Sequence, residues 1–358
     1  MSRVILTLVA FVALLLGPAS VAAAAEGSAG AVYTLTNTAT NAVVAYDRSA
    51  SGELTWSGTF ATGGAGGALG SQGAVVINDD GHWLFAVDAG SNDIAVFKVT
   101  KGGLVWTDRV SSGGTQPVSV TTSHDLVYVV NAASHSIAGF RSKDGELSPI
   151  AGSIQSFTGA GAAQIQFSPS GRALVVTEKT TNTLYVFQVG KDDAAGLATS
   201  YASSGATPFG FAFGRHNDLV VSEAAGGPAG LSAASSYELS KDDTLTAISR
   251  SVSTNQKSAC WVAVTKNGRY AFTGNAAADS ISTFAVEEDG ALTLAFDKQA
   301  SVMLGAHTTD LALSDDSRYL YANDGGTHMI SAYRIGADGS LTRLPGVIIP
   351  NAAGLAAR

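Results

Sequence analysis

Cysteine is almost absent from this sequence: Cys260 is the only one among 358 residues. A single cysteine cannot form an internal disulfide, so the stability of the fold has to come from buried surface. Cys260 lies within the apolar run SACWVAV. This setting favours a buried, small hydrophobic side chain over an exposed nucleophile.

Charged residues are also scarce, at 14% of the chain, and the net charge is −8. An acidic chain without a basic stripe is not expected to bind nucleic acid or an anionic membrane surface. The six histidines include no close pair of the kind that binds zinc. The sequence has no P-loop, no dinucleotide-binding glycine motif and no G-x-S-x-G motif, so nucleotide chemistry and Ser/His/Asp hydrolysis lack support.

Long hydrophobic runs are missing except at the N-terminus. Arg3 precedes the apolar residues 4–17, and the small residues 23–25 follow them. This arrangement predicts a signal peptide over residues 1–25; the alternative, a transmembrane anchor, would need a longer apolar run. We therefore expect a mature chain, residues 26–358, that is secreted to the cell exterior or a periplasm and has no contact with the membrane.

Internal repetition is the strongest signal in the rest of the chain. Units such as VYTLTNTATNAVVAYDRSASGEL and LFAVDAGSNDIAVFKVTKGGL combine short alternating apolar runs with glycine-containing turns, which is typical of β-strands. An aromatic residue closes the second strand of each unit and recurs every 43 to 51 residues. These aromatic residues are Tyr46, Phe97, Phe140, Phe187, Tyr237, Phe284 and Tyr333.

Seven units with room for four strands each predict an all-β fold, a seven-bladed β-propeller. The first strand-like segment after the predicted signal peptide, GAVYTLTN, reads as the second strand of a blade, and the last one, NAAGLAA, reads as an innermost strand. We therefore expect the N-terminal and C-terminal strands to share one blade. Residues 26–358 should form a single domain.

A polar residue ends the strand before each aromatic-closed strand, which is the second strand of a blade, on the face where the inner strands begin; we call this the open face. The residues are Asn37, Asp88, Asn131, Glu178, Glu223, Asn275 and Asp324. Asn and Asp at a strand end commonly hydrogen-bond their own turn, whereas the longer Glu side chain makes that bond poorly. Glu178 and Glu223 are therefore candidate catalytic carboxylates or, together with Asp88, candidate calcium or magnesium ligands. The alternative is a pair of solvated loop glutamates.

Further candidates for ligand binding come from the open-face ring and from the starts of the inner strands. They are Phe209, Trp261, Gln164, His307, Asp310, Asn131 and Asn275. Phe209 and Trp261 could form an apolar wall beside the carboxylates, although packing between blades would use the same side chains.

The repeat resembles that of the seven-bladed lactonase-like propellers, which include bacterial 6-phosphogluconolactonase and fungal carboxymuconate lactonizing enzyme. Units such as VYVVNAASHSIAGF also look like the Y-V-T-N propeller repeat. The resemblance implies an open-face site built from histidine, two arginines and a glutamate. Glu223 matches that glutamate, but Phe209 and Ala276 stand at the arginine positions, and Gly161 and Ala163 stand at those of a histidine pair.

Three functions stay open from these observations. The first is a non-catalytic propeller that binds a small molecule, glycan or peptide on its open face. The second is hydrolysis of a non-phosphorylated lactone, with Glu223 as general base and Glu178 assisting. The third is a propeller that binds calcium or magnesium; no other cofactor is expected, and the protein is expected to be a monomer.

Overall fold

The computed structural model describes residues 28–299 and 302–358. The predicted signal peptide, residues 1–25, lies outside these residues. The described chain forms seven antiparallel sheets, which are the blades of a propeller. The prediction of an all-β, seven-bladed propeller with four strands per blade is confirmed, with a short extra strand in the third blade.

The blades are numbered from the N-terminus. The first four blades contain β1 (Gly30–Leu35), β2 (Ala42–Arg48) and β3 (Leu54–Ala61) in blade 1; β4 (Val75–Ile77), β5 (Trp83–Asp88), β6 (Asp93–Thr100) and β7 (Gly103–Ser111) in blade 2; β8 (Pro117–Ser123), β9 (Leu126–Asn131), β10 (Ser136–Lys143), β11 (Glu146–Pro149) and β12 (Gln155–Ser156) in blade 3; and β13 (Ala162–Phe167), β14 (Ala173–Glu178), β15 (Thr183–Gln188) and β16 (Thr199–Ala202) in blade 4.

The remaining blades contain β17 (Pro208–Phe213), β18 (Asp218–Glu223), β19 (Ala233–Leu239) and β20 (Leu245–Ser253) in blade 5; β21 (Ala259–Val264), β22 (Tyr270–Asn275), β23 (Ser280–Val286) and β24 (Leu292–Phe296) in blade 6; and β25 (Thr308–Leu313), β26 (Tyr319–Asp324), β27 (Met329–Ile335) and β28 (Leu341–Ile348) in blade 7. The last strand, β29 (Ala353–Ala357), belongs to blade 1.

The ring of blades is closed by the two ends of the chain. Strand β29 pairs antiparallel with β1, with Tyr33 opposite Ala356, and forms the innermost strand of blade 1. Each inner strand contacts the next around the ring, and β29 lies between β25 and β4. The predicted sharing of one blade by the first and last strands is therefore confirmed.

The aromatic residues that mark the repeat lie in the core. All seven closing aromatics, from Tyr46 to Tyr333, are buried. They belong to hydrophobic clusters that join neighbouring blades, such as the cluster that contains Phe97 and Phe140. The repeat is thus visible in the sequence because each blade needs one large side chain at the same place to pack against its neighbour.

Helical structure is minimal in the described part of the chain. It consists of two three-residue 3₁₀ turns, Arg215–Asn217 and Ala276–Ala278. Within residues 28–299 and 302–358, then, no helix has the length and apolar character needed to cross a bilayer.

The inner strands surround a channel with a cavity of about 800 Å³. This cavity lies toward the face opposite the open face, since its lining includes residues 77–81 and Lys266 in turns that follow the inner strands. Gln72, which precedes β4, closes the other side by crossing from blade 2 to blade 6. Its Nε2 donates to the Val262 carbonyl oxygen at 2.5 Å, and its Oε1 accepts from the Val262 N–H at 2.9 Å.

We expect the Gln72→Ala variant to lose about 1–3 kcal/mol of unfolding free energy. The change removes both bonds to Val262 and leaves that residue's N–H and C=O without these partners inside the channel. Urea denaturation measures the loss. The exposed Gln188, on β15, provides the control, because Gln188→Ala should leave the urea midpoint of unfolding unchanged. Equal stability of the two variants would show that Gln72 does not tie the blades together.

Candidate functional site

The predicted ring of polar residues is present at the open face, but it is not exposed. Asp88, Asn131, Glu178, Glu223, Asn275 and Asp324 each end the second strand of a blade, and all six are at most 1% exposed. Asn37 follows β1 by two residues and is partly exposed. The ring side chains therefore lie beneath the loops of the open face.

Glu178 is held by its own turn and by the start of β13. Its Oε1 accepts from the N–H groups of Gly161 at 2.6 Å and Thr180 at 3.1 Å, and from the Thr180 hydroxyl. Its Oε2 accepts from the Thr181 N–H at 2.6 Å and from the Thr181 hydroxyl. The expectation that a glutamate makes the local turn bond poorly is wrong at this position, because two adjacent threonines supply donors at the reach of the longer side chain.

The environment of Glu178 stabilises its charged form. Burial alone would raise the pKa of this carboxyl, but the hydrogen bonds from Thr180 and Thr181 outweigh burial and lower the pKa below its ordinary value. A carboxylate with a lowered pKa and five donors is a weak proton acceptor at neutral pH. We therefore interpret Glu178 as a structural anion, that is, a charged carboxylate that holds its turn in place.

Glu223 joins three segments of blade 5. Its Oε1 accepts from the Gly205 N–H at 2.8 Å and from the Ser235 hydroxyl, and its Oε2 accepts from the Ser251 hydroxyl at 2.7 Å. The side chain is 1% exposed, beneath the loop that leads into β17. In this conformation Glu223 faces hydroxyl and amide donors, and the covering loop separates it from solvent.

The carboxylates proposed as cation ligands are not brought together. Asp88 lies in blade 2, where its Oδ1 accepts from Asn41 Nδ2 and Thr62 Oγ1, both at 2.8 Å. Glu178 and Glu223 are held by separate loops of blades 4 and 5. Among residues 28–299 and 302–358, no group of three or more His, Cys, Asp or Glu side chains is arranged to hold a metal ion.

Phe209 and Trp261 lie side by side on neighbouring inner strands. Their ring centroids are 5.3 Å apart and their planes are inclined by 53°. Phe209 is half-buried, so part of its surface faces the open side, whereas Trp261 is 5% exposed and packs into the core between blades 6 and 7. Trp261 therefore supports the position of Phe209.

Lys179 is a candidate site residue that the sequence reasoning missed. Its Nζ lies over the Phe209 ring, 4.4 Å from the centroid, which is cation–π geometry. Burial lowers the pKa of Lys179, and Cys260 and Glu178 nearby oppose that effect. The signal in the sequence was weak: Lys179 directly follows ring residue Glu178, but nothing in the spacing brings it to a phenylalanine of the next blade.

The other predicted ligand-binding residues lie apart from this group or are engaged elsewhere. Gln164 bonds the N–H and C=O of Phe211 in the next inner strand, at 2.7 and 2.8 Å. Asp310 is 0% exposed, and burial raises its pKa well above the ordinary value. His307 is exposed.

The two asparagines predicted to bind ligand are also buried, and the side-chain amide nitrogen of each is hydrogen-bonded. Asn131 donates to the Ser112 carbonyl oxygen at 3.1 Å. Asn275 donates to the hydroxyls of Ser280 and Ser282. Of all the predicted site residues, Gln164 alone lines the channel cavity. The partly exposed side chains that lie together at the open face are therefore Phe209 and Lys179, with Trp261 packed beside Phe209.

Comparison with solved structures supports the fold over almost the whole chain. A candidate 6-phosphogluconolactonase from Bacteroides fragilis matches with a TM-score of 0.73 at 18% identity, covering 94% of this chain and 99% of the other. A protein from Lactobacillus plantarum matches with a TM-score of 0.75 at 16% identity, covering 92% and 99%. The periplasmic gluconolactonase of Pseudomonas aeruginosa matches with a TM-score of 0.68 at 14% identity, covering 90% and 98%.

These identities are low, so the structural matches establish the architecture alone. No curated protein sequence matches the chain. The family model described as lactonase, 7-bladed beta-propeller matches residues 27–156, 146–226 and 222–355, which together span the described propeller. The resemblance read from the repeats is confirmed, and the chain belongs to the lactonase family of seven-bladed β-propellers.

Proposed function

We propose that this protein is a secreted, monomeric propeller that binds a small, sugar-like molecule on its open face without hydrolysing it. The observation that supports this most is that the open-face carboxylates are occupied by hydrogen bonds within the protein, whereas an aromatic ring and an ammonium are not buried completely. The carboxylate oxygens of Glu178 and Glu223 accept hydrogen bonds from neighbouring loops and strands. Phe209 and Lys179 remain partly exposed.

An aromatic surface with one charged group is a common basis for recognising small polar molecules. The Phe209 ring offers an apolar face against which the C–H side of a sugar ring can pack. Trp261 holds that ring from behind, at 5.3 Å between centroids. Of the open ligand classes, a small molecule or the end of a glycan fits a single exposed ring better than an extended peptide does.

Secretion is part of the proposal and rests on the N-terminal sequence. Arg3, the apolar residues 4–17 and the small residues 23–25 have the order of a signal peptide. The Pseudomonas aeruginosa relative in fold is described as periplasmic. N-terminal sequencing of the exported protein should give Glu26 as its first residue.

The test of function is calorimetric titration of residues 26–358 with methyl glucoside, methyl glucuronide, gluconate and gluconolactone. We expect at least one of these to bind, and Phe209→Ala to weaken that binding about tenfold, or about 1.4 kcal/mol. Phe213→Ala is the matched control, because Phe213 is also half-buried on β17 but lies at the opposite end of the strand. Absence of binding to the whole panel, or equal effects of the two variants, would refute the proposed site.

Hydrolysis of a non-phosphorylated lactone is the second candidate, and family membership is what favours it. Glu223 would act as the general base, since its Oε2 accepts one bond, from Ser251, and retains acceptor capacity. Water would reach this oxygen only after the loop over Glu223 opened. Acid release from gluconolactone, compared between the wild type and Glu223→Gln, distinguishes this candidate from binding alone.

A further inference from the structure

We infer that Lys179 determines the charge of the ligand, and that the ligand carries a carboxylate, as aldonic and uronic acids do. This inference rests on the proposed binding site at Phe209. To that site it adds a residue that determines specificity, Lys179, and the chemical class of the ligand.

The first observation is the position of the charge. Lys179 follows β14 in blade 4, and its Nζ lies 4.4 Å from the centroid of Phe209 in blade 5. Phe209 stands where the family resemblance implies an arginine. The ammonium of Lys179 therefore supplies a cation from the neighbouring blade beside the position where the arginine side chain is missing.

The second observation is that, among the described residues, no carboxylate contacts this cation, although the nearby charge of Glu178 attracts it. Lys179 takes part in none of the ion pairs of the described residues. The carboxylate of Glu178 is directed to the donors of its own turn. Cys260 is no substitute, because burial raises the pKa of its thiol to about 12 and it is neutral at physiological pH.

A half-buried ammonium without a carboxylate in direct contact is costly unless it meets one. The Phe209 ring compensates it in part through the electrons of its face. Burial lowers the pKa of Lys179, which agrees with incomplete compensation. An anionic group of a bound molecule would complete the environment.

The size of the charge argues for a carboxylate over a phosphate. Lysine offers a point charge with three donors, whereas arginine presents the planar fork that suits bidentate binding of phosphate. With Phe209 and Ala276 at the two expected arginine positions, one ammonium would face a phosphate dianion alone. A monoanionic carboxylate matches the single charge of Lys179.

The experiment compares methyl glucuronide with methyl glucoside, which differ in a carboxylate against a hydroxymethyl group. We expect the wild type to bind the glucuronide at least about tenfold more tightly. Lys179→Gln should reduce affinity for the glucuronide to the level of the glucoside and leave glucoside affinity unchanged. Lys179→Arg, which keeps the charge, should retain most of the preference.

The outcomes separate this inference from the proposed function. Equal wild-type affinity for both glycosides, combined with sensitivity to Phe209→Ala, would overturn the role of Lys179 and leave the binding site standing. Failure of methyl glucuronide and gluconate, the two carboxylates, to bind would overturn the carboxylate inference; the proposed site would fail as well if methyl glucoside and gluconolactone also did not bind. If Lys179→Gln does not fold, the rate of acetylation of Lys179 in the wild-type protein is measured by mass spectrometry. The glucuronide should slow this acetylation and the glucoside should not; equal protection would contradict the inference.

Discussion

Replacement of Glu178 by alanine is expected to lower the free energy of unfolding by about 3–5 kcal/mol. The variant loses an acceptor for five donors, contributed by Gly161, Thr180 and Thr181. The Gly161 N–H is buried, so water replaces its lost bond poorly, whereas the donors of Thr180 and Thr181 belong to exposed residues. The expected loss is a large part of the stability of an ordinary domain.

Urea denaturation followed by circular dichroism measures this effect. Glu238→Ala is the control, because Glu238 is an exposed glutamate on β19 of the next blade. The free energy of unfolding of the control should lie within about 0.5 kcal/mol of the wild-type value. If Glu178→Ala were as stable as Glu238→Ala, Glu178 would not be the structural anion described here.

The same carboxylate predicts a pH dependence. The folded pKa of Glu178 is lower than its ordinary value of 4.5. Such a group contributes stability above the unfolded pKa, and that contribution disappears as the pH falls through the folded pKa. The difference in stability between the wild type and Glu178→Ala should therefore be greatest at neutral pH and should shrink below about pH 4.5.

Removal of residues 353–358 is expected to abolish cooperative folding or to cost more than about 5 kcal/mol. These residues form β29, the inner strand that closes blade 1. Without them β1 loses a pairing partner, and the inner strands β25 and β4 lose the strand between them. Arg48 also loses its bond from Nε to the Arg358 carbonyl oxygen, at 3.0 Å.

Thermal unfolding of the truncated chain provides the measurement. A circular permutant that joins Arg358 to Ser28 by a short linker and opens the chain at an exposed turn is the control, because it keeps β29. The permutant should unfold cooperatively near the temperature of the wild type. A truncated protein that melted within a few degrees of the full chain would contradict closure by β29.

The architecture could be predicted because it depends on a pattern repeated along the chain. Residues such as Tyr46 and Phe97 recur at one place in each blade, and their burial follows from packing that every blade repeats. The sharing of one blade by the first and last strands could be predicted for the same reason, because the two end segments match complementary parts of one repeat unit.

The candidate site was less predictable because its contacts join segments that are distant in the sequence, within one blade or between blades. Glu178 was placed correctly at a strand end, but Gly161, which donates to it, lies 17 residues earlier. Lys179 meets Phe209 in the next blade. Gln72 bonds Val262, 190 residues away, across the channel. Periodicity specifies the position of a residue within a blade, and it does not specify which side chain of a neighbouring blade it will contact.

Recognition without hydrolysis is tested most directly by acid release from a panel of sugar, aliphatic and aromatic lactones. The assay uses residues 26–358 beside folded Glu223→Gln, with circular dichroism as the check on folding. If Glu223 serves to join the loop at Gly205 to the outer strands of blade 5, neither protein will open any lactone above the uncatalysed rate. Turnover by the wild type that disappears in a folded Glu223→Gln variant would contradict this, and would make Glu223 the base of a lactonase.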